Sequence, residues 1–273
     1  MSGLAWAVSL ALTCAVLVLG VAVWVWRRRA GELERLLSDN ARKLEQLQGQ
    51  FERFVPSDVV ERLTEGRGTY VPQRRQVTML FADLRDFTAL CDRLDPAVTV
   101  TILNDYFQRM HDCIARHHGH VTELVGDGLL ALFGALEPNP WQARDSVLAA
   151  LEMRRALQVY NAELRARALP ELRFGIGIHS GEVVAGVMGA AELNKFSVTG
   201  DPINVASRVE GLTREHHVDL LITREIRAAL DARFQLTAMP PSHVKGKVDP
   251  IETFHVMGMG EAAALSPLRG ATS

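Results

Sequence analysis

A chain of 273 residues, 48% hydrophobic and 23% charged, has room for one sizeable folded domain with accessory segments, and disorder along its whole length is excluded. Its net charge of −2 provides no broad basic surface of the kind that drives nonspecific nucleic-acid binding, so no nucleic-acid partner is expected and phosphate recognition must be local. Cys14, Cys91 and Cys113 lack CxxC spacing, which argues against a disulfide framework or a zinc site and leaves them as small buried hydrophobes.

In chain order, Leu4 to Trp26 carry no charge, and at a rise of about 1.5 Å per residue they can cross a hydrocarbon core of roughly 30 Å. A transmembrane helix is expected over residues 1–29, with Trp24 and Trp26 at one interface. Arg27, Arg28 and Arg29 then place the rest of the chain in the cytoplasm, as a single-pass protein of the inner membrane. A cleaved signal peptide is the rival reading. It is opposed by the length of the run and by basic residues that follow rather than precede it. Residues 30–73 form the connector. Leu33, Leu37, Asn40, Leu44, Leu47, Phe51 and Phe54 alternate in steps of four and three, the spacing of a parallel coiled coil in which Asn40 sets the register. One amphipathic helix packed on its own domain would show the same pattern. Pro56 ends the seam, and Ser57 caps a short helix to Leu63 that Gly66 and Gly68 close.

Residues 74–257 read as the folded domain. Val77 to Leu84 is an apolar, β-rich strand, and Asp95-Pro96 starts a helix to about His117 with Asp as cap and Pro at its first position. Two strands, His120–Val125 and Leu129–Phe133, are joined by Gly126-Asp127-Gly128, a hairpin signal. Asn139-Pro140 starts a second long helix to about Pro170. Strands Leu172–His179, Val183–Met188 and Phe196–Thr199 follow, then a helix from Asp201-Pro202 to about Leu212 and a strand Val218–Ile222. The alternation predicts an α+β sandwich, one sheet with helices packed against it, without internal repeats. Residues 258–273 are small and polar enough for a flexible tail.

Chemistry concentrates at a few positions. Asp83 ends a buried strand and Asp127 occupies the hairpin turn, and Asp is rarely buried unless paired or bound to a cation. If the strand and the hairpin are sheet neighbours, the two converge, and Mg²⁺ typically takes one or two carboxylates plus substrate phosphates. Taken alone, the same residues are also ordinary turn chemistry and a helix cap. Asn204 and Arg208, four apart on one helix, present an amide and a guanidinium in one direction, and Arg stabilises charge on a transferring phosphoryl group. Lys245-Gly246-Lys247 is a basic loop able to hold terminal phosphates.

Phe81-x-Asp83-x-x-x-Phe87-Thr88, Gly126-Asp127-Gly128 with Phe133-Gly134, Gly177-Ile178-His179-Ser180-Gly181, Gly200-Asp201-Pro202-Ile203-Asn204 with Arg208, and Val244-Lys245-Gly246-Lys247 occur in this order. As a set they resemble the class III nucleotide cyclases, over about Arg74 to Val256. The resemblance implies a ferredoxin-like catalytic domain, active as a homodimer with its sites at the interface. Asp83, Asp127 and the Leu84 carbonyl would bind two divalent ions per site, Mg²⁺ or Mn²⁺. The partner subunit would supply Asn204 to orient the ribose and Arg208 to stabilise the transition state, with Lys245 on the phosphates. The helical connector resembles the signalling helix and transducer element found before such domains. In adenylyl cyclases of this family, Lys generally stands three residues before the Gly of the GD turn and Asp or Thr three before the Gly of the last helix motif. Glu123 and Ser197 stand there instead. A carboxylate accepts from guanine N1–H and its 2-amino group, whereas a hydroxyl suits either purine. The resemblance therefore implies GTP over ATP, with a cyclic AMP-producing adenylate cyclase as the alternative and a noncatalytic nucleotide-sensing module as the second. No feature names an upstream regulator.

Overall fold

The structure, a computed structural model, describes residues 72–188, 195–242 and 250–260. The expected membrane helix, the coiled coil and its following short helix, Lys245 and residues 261–273 lie outside them. Among the described residues no helix is long and apolar enough to cross a membrane.

Strand β1 (Gln73–Leu84) is buried from Val77 onward except at half-buried Phe81 and Asp83, and it lies inside the sheet, antiparallel to β3 on one side and to β4 on the other. After it the chain turns sharply through Asp86, at φ 57°, into the short helix α1 (Phe87–Cys91). Helix α2 (Pro96–Arg116) starts as its sequence dictates. Asp95 accepts the backbone N–H of Ala97 at 2.9 Å, and Pro96 stands where no intrahelical donor is needed. Strands β2 (Gly119–Val125) and β3 (Gly128–Phe133) form the expected hairpin, with Gly126 at φ 61° in a left-handed conformation that a side chain would strain.

Helix α3 (Gln142–Ala166) begins later than Asn139-Pro140 suggests. Asn139 builds a turn ahead of it, accepting from the Trp141 N–H at 2.8 Å and donating to Asp145 at 2.9 Å. Strand β4 (Phe174–Met188) is continuous where the sequence reads as two strands. Ser180 shares a buried hydrogen bond with Thr78, and Gly181 marks a close approach rather than a turn, because a Cβ there would lie 2.5 Å from the Pro202 ring. Then come β5 (Lys195–Thr199), α4 (Asp201–Glu215), β6 (Leu220–Thr223), α5 (Arg224–Ala228), β7 (Phe234–Ala238) and β8 (Thr253–Met259). Residues 258–260, expected to begin the tail, instead belong to the end of the sheet. Strand β8 carries its ladder through Met259, and the Gly260 N–H reaches the Arg233 carbonyl at 2.9 Å.

The sheet runs β2-β3-β1-β4-β6-β8-β7, with β5 folded onto the far half of β4. Its first half, β1-α2-β2-β3-α3-β4 in the order β2-β3-β1-β4, is the ferredoxin-like arrangement. Helices α2 and α3 cover one face over Leu80, Ala82, Leu84, Ile176 and Ile178, and Tyr160 donates to the Ile102 carbonyl at 3.1 Å between them. On the opposite face α4 lays Val205, Val209 and Leu212 against Leu221.

Candidate functional site

Asp83 projects from the α4 face of the sheet, flanked in both neighbouring strands by glycine. Its Oδ1 is 2.9 Å from the point where a Cβ on Gly128 would stand, so the carboxylate rests against the base of the Gly126-Asp127 turn. On the other side its ladder partner is Gly175. Burial raises the Asp83 pKa first, and repulsion by Asp127 raises it further, while Arg214 and the Leu84 N–H act in the opposite sense. Asp127 thus stands close enough to disfavour the charge on Asp83, an arrangement that a divalent cation would relieve. Two carboxylates are oxygen donors of the kind that suit a hard cation completed by substrate oxygens. The residues present fit such a group.

Glu123 reaches this face through an irregularity in β2. The register slips between Val121, paired with Ala131, and Glu123, paired with Leu130. In a regular strand Val121 and Glu123 would share a face. The bulge instead leaves Val121 packed on the α2–α3 core and places Glu123 on the side of Asp83.

Helix α4 contributes differently. Asn204 is exposed and Arg208 half-buried, and neither makes a side-chain hydrogen bond or ion pair with another described residue. The helix starts at Gly181, in the middle of β4, and reaches Gly175 and Gly177 with Glu210. The cation acting on Asp83 is Arg214, from the last turn of α4. Ser197 pairs with Gly186, near the opposite end of β4 from Asp83's partner Gly175. The chain therefore carries Asp83, Asp127 and Glu123 on one part of the sheet, Ser197 on the far half of β4, and Asn204 and Arg208 on α4.

The catalytic-domain model shared by adenylate and guanylate cyclases matches residues 69–258. The chain belongs to this family. It is 32% identical over 236 residues to an adenylate cyclase of Anabaena cylindrica, covering 82% of this chain and 46% of that protein. It is 29% identical over 214 residues to adenylate cyclase 1 of Rhizobium meliloti, covering 78% of this chain and 32% of that protein. The cyclase-family chain thus spans less than half of the length of these curated relatives. Among solved structures, the guanylyl cyclase Cya2 superposes with a TM-score of 0.64 at 35% identity, covering 71% of this chain and 98% of that one. The neighbours of this cyclase domain include proteins named for either purine.

The sequence did not single out Glu210, a carboxylate turned toward the sheet on α4. Burial first, then Asp83, pushes its pKa up to about 7. No motif marks it, because only the tertiary approach of α4 to Gly175 and Gly177 brings it beside Asp83. His179, part of the glycine-rich motif of β4, is a structural contact among the described residues. Its Nδ1 lies 2.9 Å from the Thr223 Oγ1 and 3.4 Å from a Glu225 carboxylate that this contact helps hold near pKa 2.

Proposed function

We propose that this chain forms the catalytic part of a purine nucleotide cyclase, which converts a nucleoside triphosphate into a 3′,5′-cyclic monophosphate and pyrophosphate at sites shared by two copies. The observation that carries the reading is the Asp83–Asp127 pair against the hairpin turn, set apart from the Asn204–Arg208 pair on α4. Two half-sites on one protomer call for a second copy to complete each.

In this reading the ribose 3′-oxygen bonds to the α-phosphorus as the bond from that phosphorus to the bridging oxygen of pyrophosphate breaks. Asp83, Asp127 and the Leu84 carbonyl hold two divalent ions, Mg²⁺ or Mn²⁺. When bound, these supply a lowered pKa for the 3′-hydroxyl and countercharge for the triphosphate. From the partner copy, the Asn204 amide orients the ribose and the Arg208 guanidinium stabilises charge as it spreads over the phosphoryl oxygens. Lys245 binds phosphate oxygens.

Glu123 accepts from guanine N1–H and the 2-amino group, and the Ser197 hydroxyl donates to O6, which favours GTP. Support for GTP comes from a guanylyl cyclase with 35% identity among the solved structures; support for ATP comes from the adenylate cyclases among the curated relatives. Residues 1–29 anchor the protein in the inner membrane with this domain in the cytoplasm. The deciding experiment supplies purified full chain with each triphosphate and a divalent cation and measures both products. Cyclic GMP formation is expected. Strong cyclic AMP production without cyclic GMP overturns the base assignment, and neither product overturns the cyclase itself.

A further inference from the structure

Glu210 is a partly buried carboxylate for which the proposed reaction has no use. It follows Arg208 by two residues, about 200° of helical rotation, so the two half-buried side chains leave α4 on opposite flanks of its buried stripe, Glu210 on the flank that meets Gly175 and Gly177. Its Oε1 lies 2.7 Å from the point where a Gly175 side chain would begin, and a Cβ on Gly177 would overlap its backbone nitrogen. Gly175 is the ladder partner of Asp83. An independent observation converges on the same point. Thr213, fully buried one turn further along α4, leaves its Oγ1 without a hydrogen-bond partner among the described residues and within reach of that Gly175 position.

Arg85, two residues beyond Asp83, closes the arrangement from the side of β1. Its Nη2 donates to the Thr213 carbonyl at 3.0 Å and to the Val218 carbonyl; burial first, then Arg173, lowers its pKa, and the charges of Asp219 and Glu210 act in the opposite sense. Helix α4 is therefore two-sided. One flank is joined to the strand end that bears one site's carboxylates, and the other carries the amide and guanidinium of the other site.

We propose that Glu210 is a positioning residue: together with Arg85 it locks α4 to the Asp83 end of β1 and so sets where Asn204 and Arg208 stand at the partner's site. The inference rests on the shared-site reading above. Because the clamp lies within one protomer and the groups it orients act on nucleotide bound by the other, its effect follows the chain that supplies α4.

The test uses two differently tagged full-length chains, co-expressed and purified as a mixed dimer. One carries Asp127→Ala and the other Arg208→Ala. One site then holds both defects, while the other is intact, built from the carboxylates of the R208A chain and the α4 of the D127A chain. Glu210→Gln, which keeps the side-chain volume, is added to one chain at a time, with Glu210→Ala as a companion and circular dichroism as the check on folding. On the D127A chain, kcat falls about tenfold or more while the nucleotide KM stays within about twofold, the signature of mispositioned transition-state groups. On the R208A chain, which supplies Asp83 to the intact site, any fall in kcat is at least about threefold smaller than on the D127A chain. Equal loss in both placements, loss confined to the R208A chain, or no loss in either overturns the proposal. An inactive parent mixed dimer overturns the shared-site reading, and this inference with it.

Discussion

The two faces of the sheet share their strands and differ in how their partners approach. Under α2 and α3, large side chains meet large side chains: Leu80, Leu84, Ile176 and Ile178 pack against Ile102, Tyr106, Met110 and Leu164. Under α4, β4 presents Gly175, Gly177 and Gly181, so helix backbone and short polar groups come down onto strand backbone. The first face derives its strength from apolar area. The second gives up side-chain volume to hold Asp83, Glu210 and Thr213 in fixed relation, with Arg85 strapping the helix end. Stability and chemistry are thus separated across one sheet about a single strand thick.

That separation can be broken at several points. The largest effect is expected for Asp127→Ala, which should lower kcat at least about a thousandfold while leaving the thermal transition near that of the parent, because charge stabilisation at the phosphoryl group is lost and no core contact is. A retained rate would remove the carboxylate pair from the chemistry. Gly177→Ala tests the close approach. Its Cβ would overlap the Glu210 backbone nitrogen, so α4 must shift, costing about 1–3 kcal/mol in denaturant melts and about a hundredfold in turnover. On the dry face, Ile178→Ala should cost about 2–5 kcal/mol of stability and leave kcat per folded molecule within about twofold. A large kcat loss there would mean that the faces are not independent.

The smallest effect is the pH dependence of Glu210. Its pKa is raised to about 7 in the folded protein from an ordinary 4.5, so between these values the native state holds a proton that the unfolded chain has lost. Its contribution is fully present below about pH 4.5 and is lost as pH rises toward 7. Glu210→Gln should therefore become progressively more stable than the parent across that window and level off above it. The difference should reach about 2 kcal/mol in chelator, solvent reducing the full effect of the shift. A difference that does not change between pH 5 and pH 8 would contradict the placement of Glu210 beside Asp83.

Much of the fold was legible in local residues. Asp95-Pro96 and Asp201-Pro202 start helices because each Pro stands where no intrahelical donor is required, and Gly126-Asp127 turns the hairpin because Gly126 accepts a left-handed backbone. Strands β7 and β8 and the short helices α1 and α5 escaped notice. Strand β7 and the two helices are only five residues long, and β8 depends on ladders to β6 and β7 that lie apart from it in sequence. The glycines of β4 were misleading in one respect. Ser180-Gly181 resembles an interruption, although Gly181 makes room for the Pro202 ring.

By itself, then, the sequence determined the family, the α+β class, and which carboxylates, amide and guanidinium are available, since short motifs and caps are local chemistry. Tertiary structure alone decided which of them share a place. The bulge in β2 set the face of Glu123, because a single extra residue reverses strand parity. The ladder from β3 through β1 to β4 put Asp83 between two glycines, and the descent of α4 onto the second of them brought Glu210 into a site that no spacing along the chain foretells.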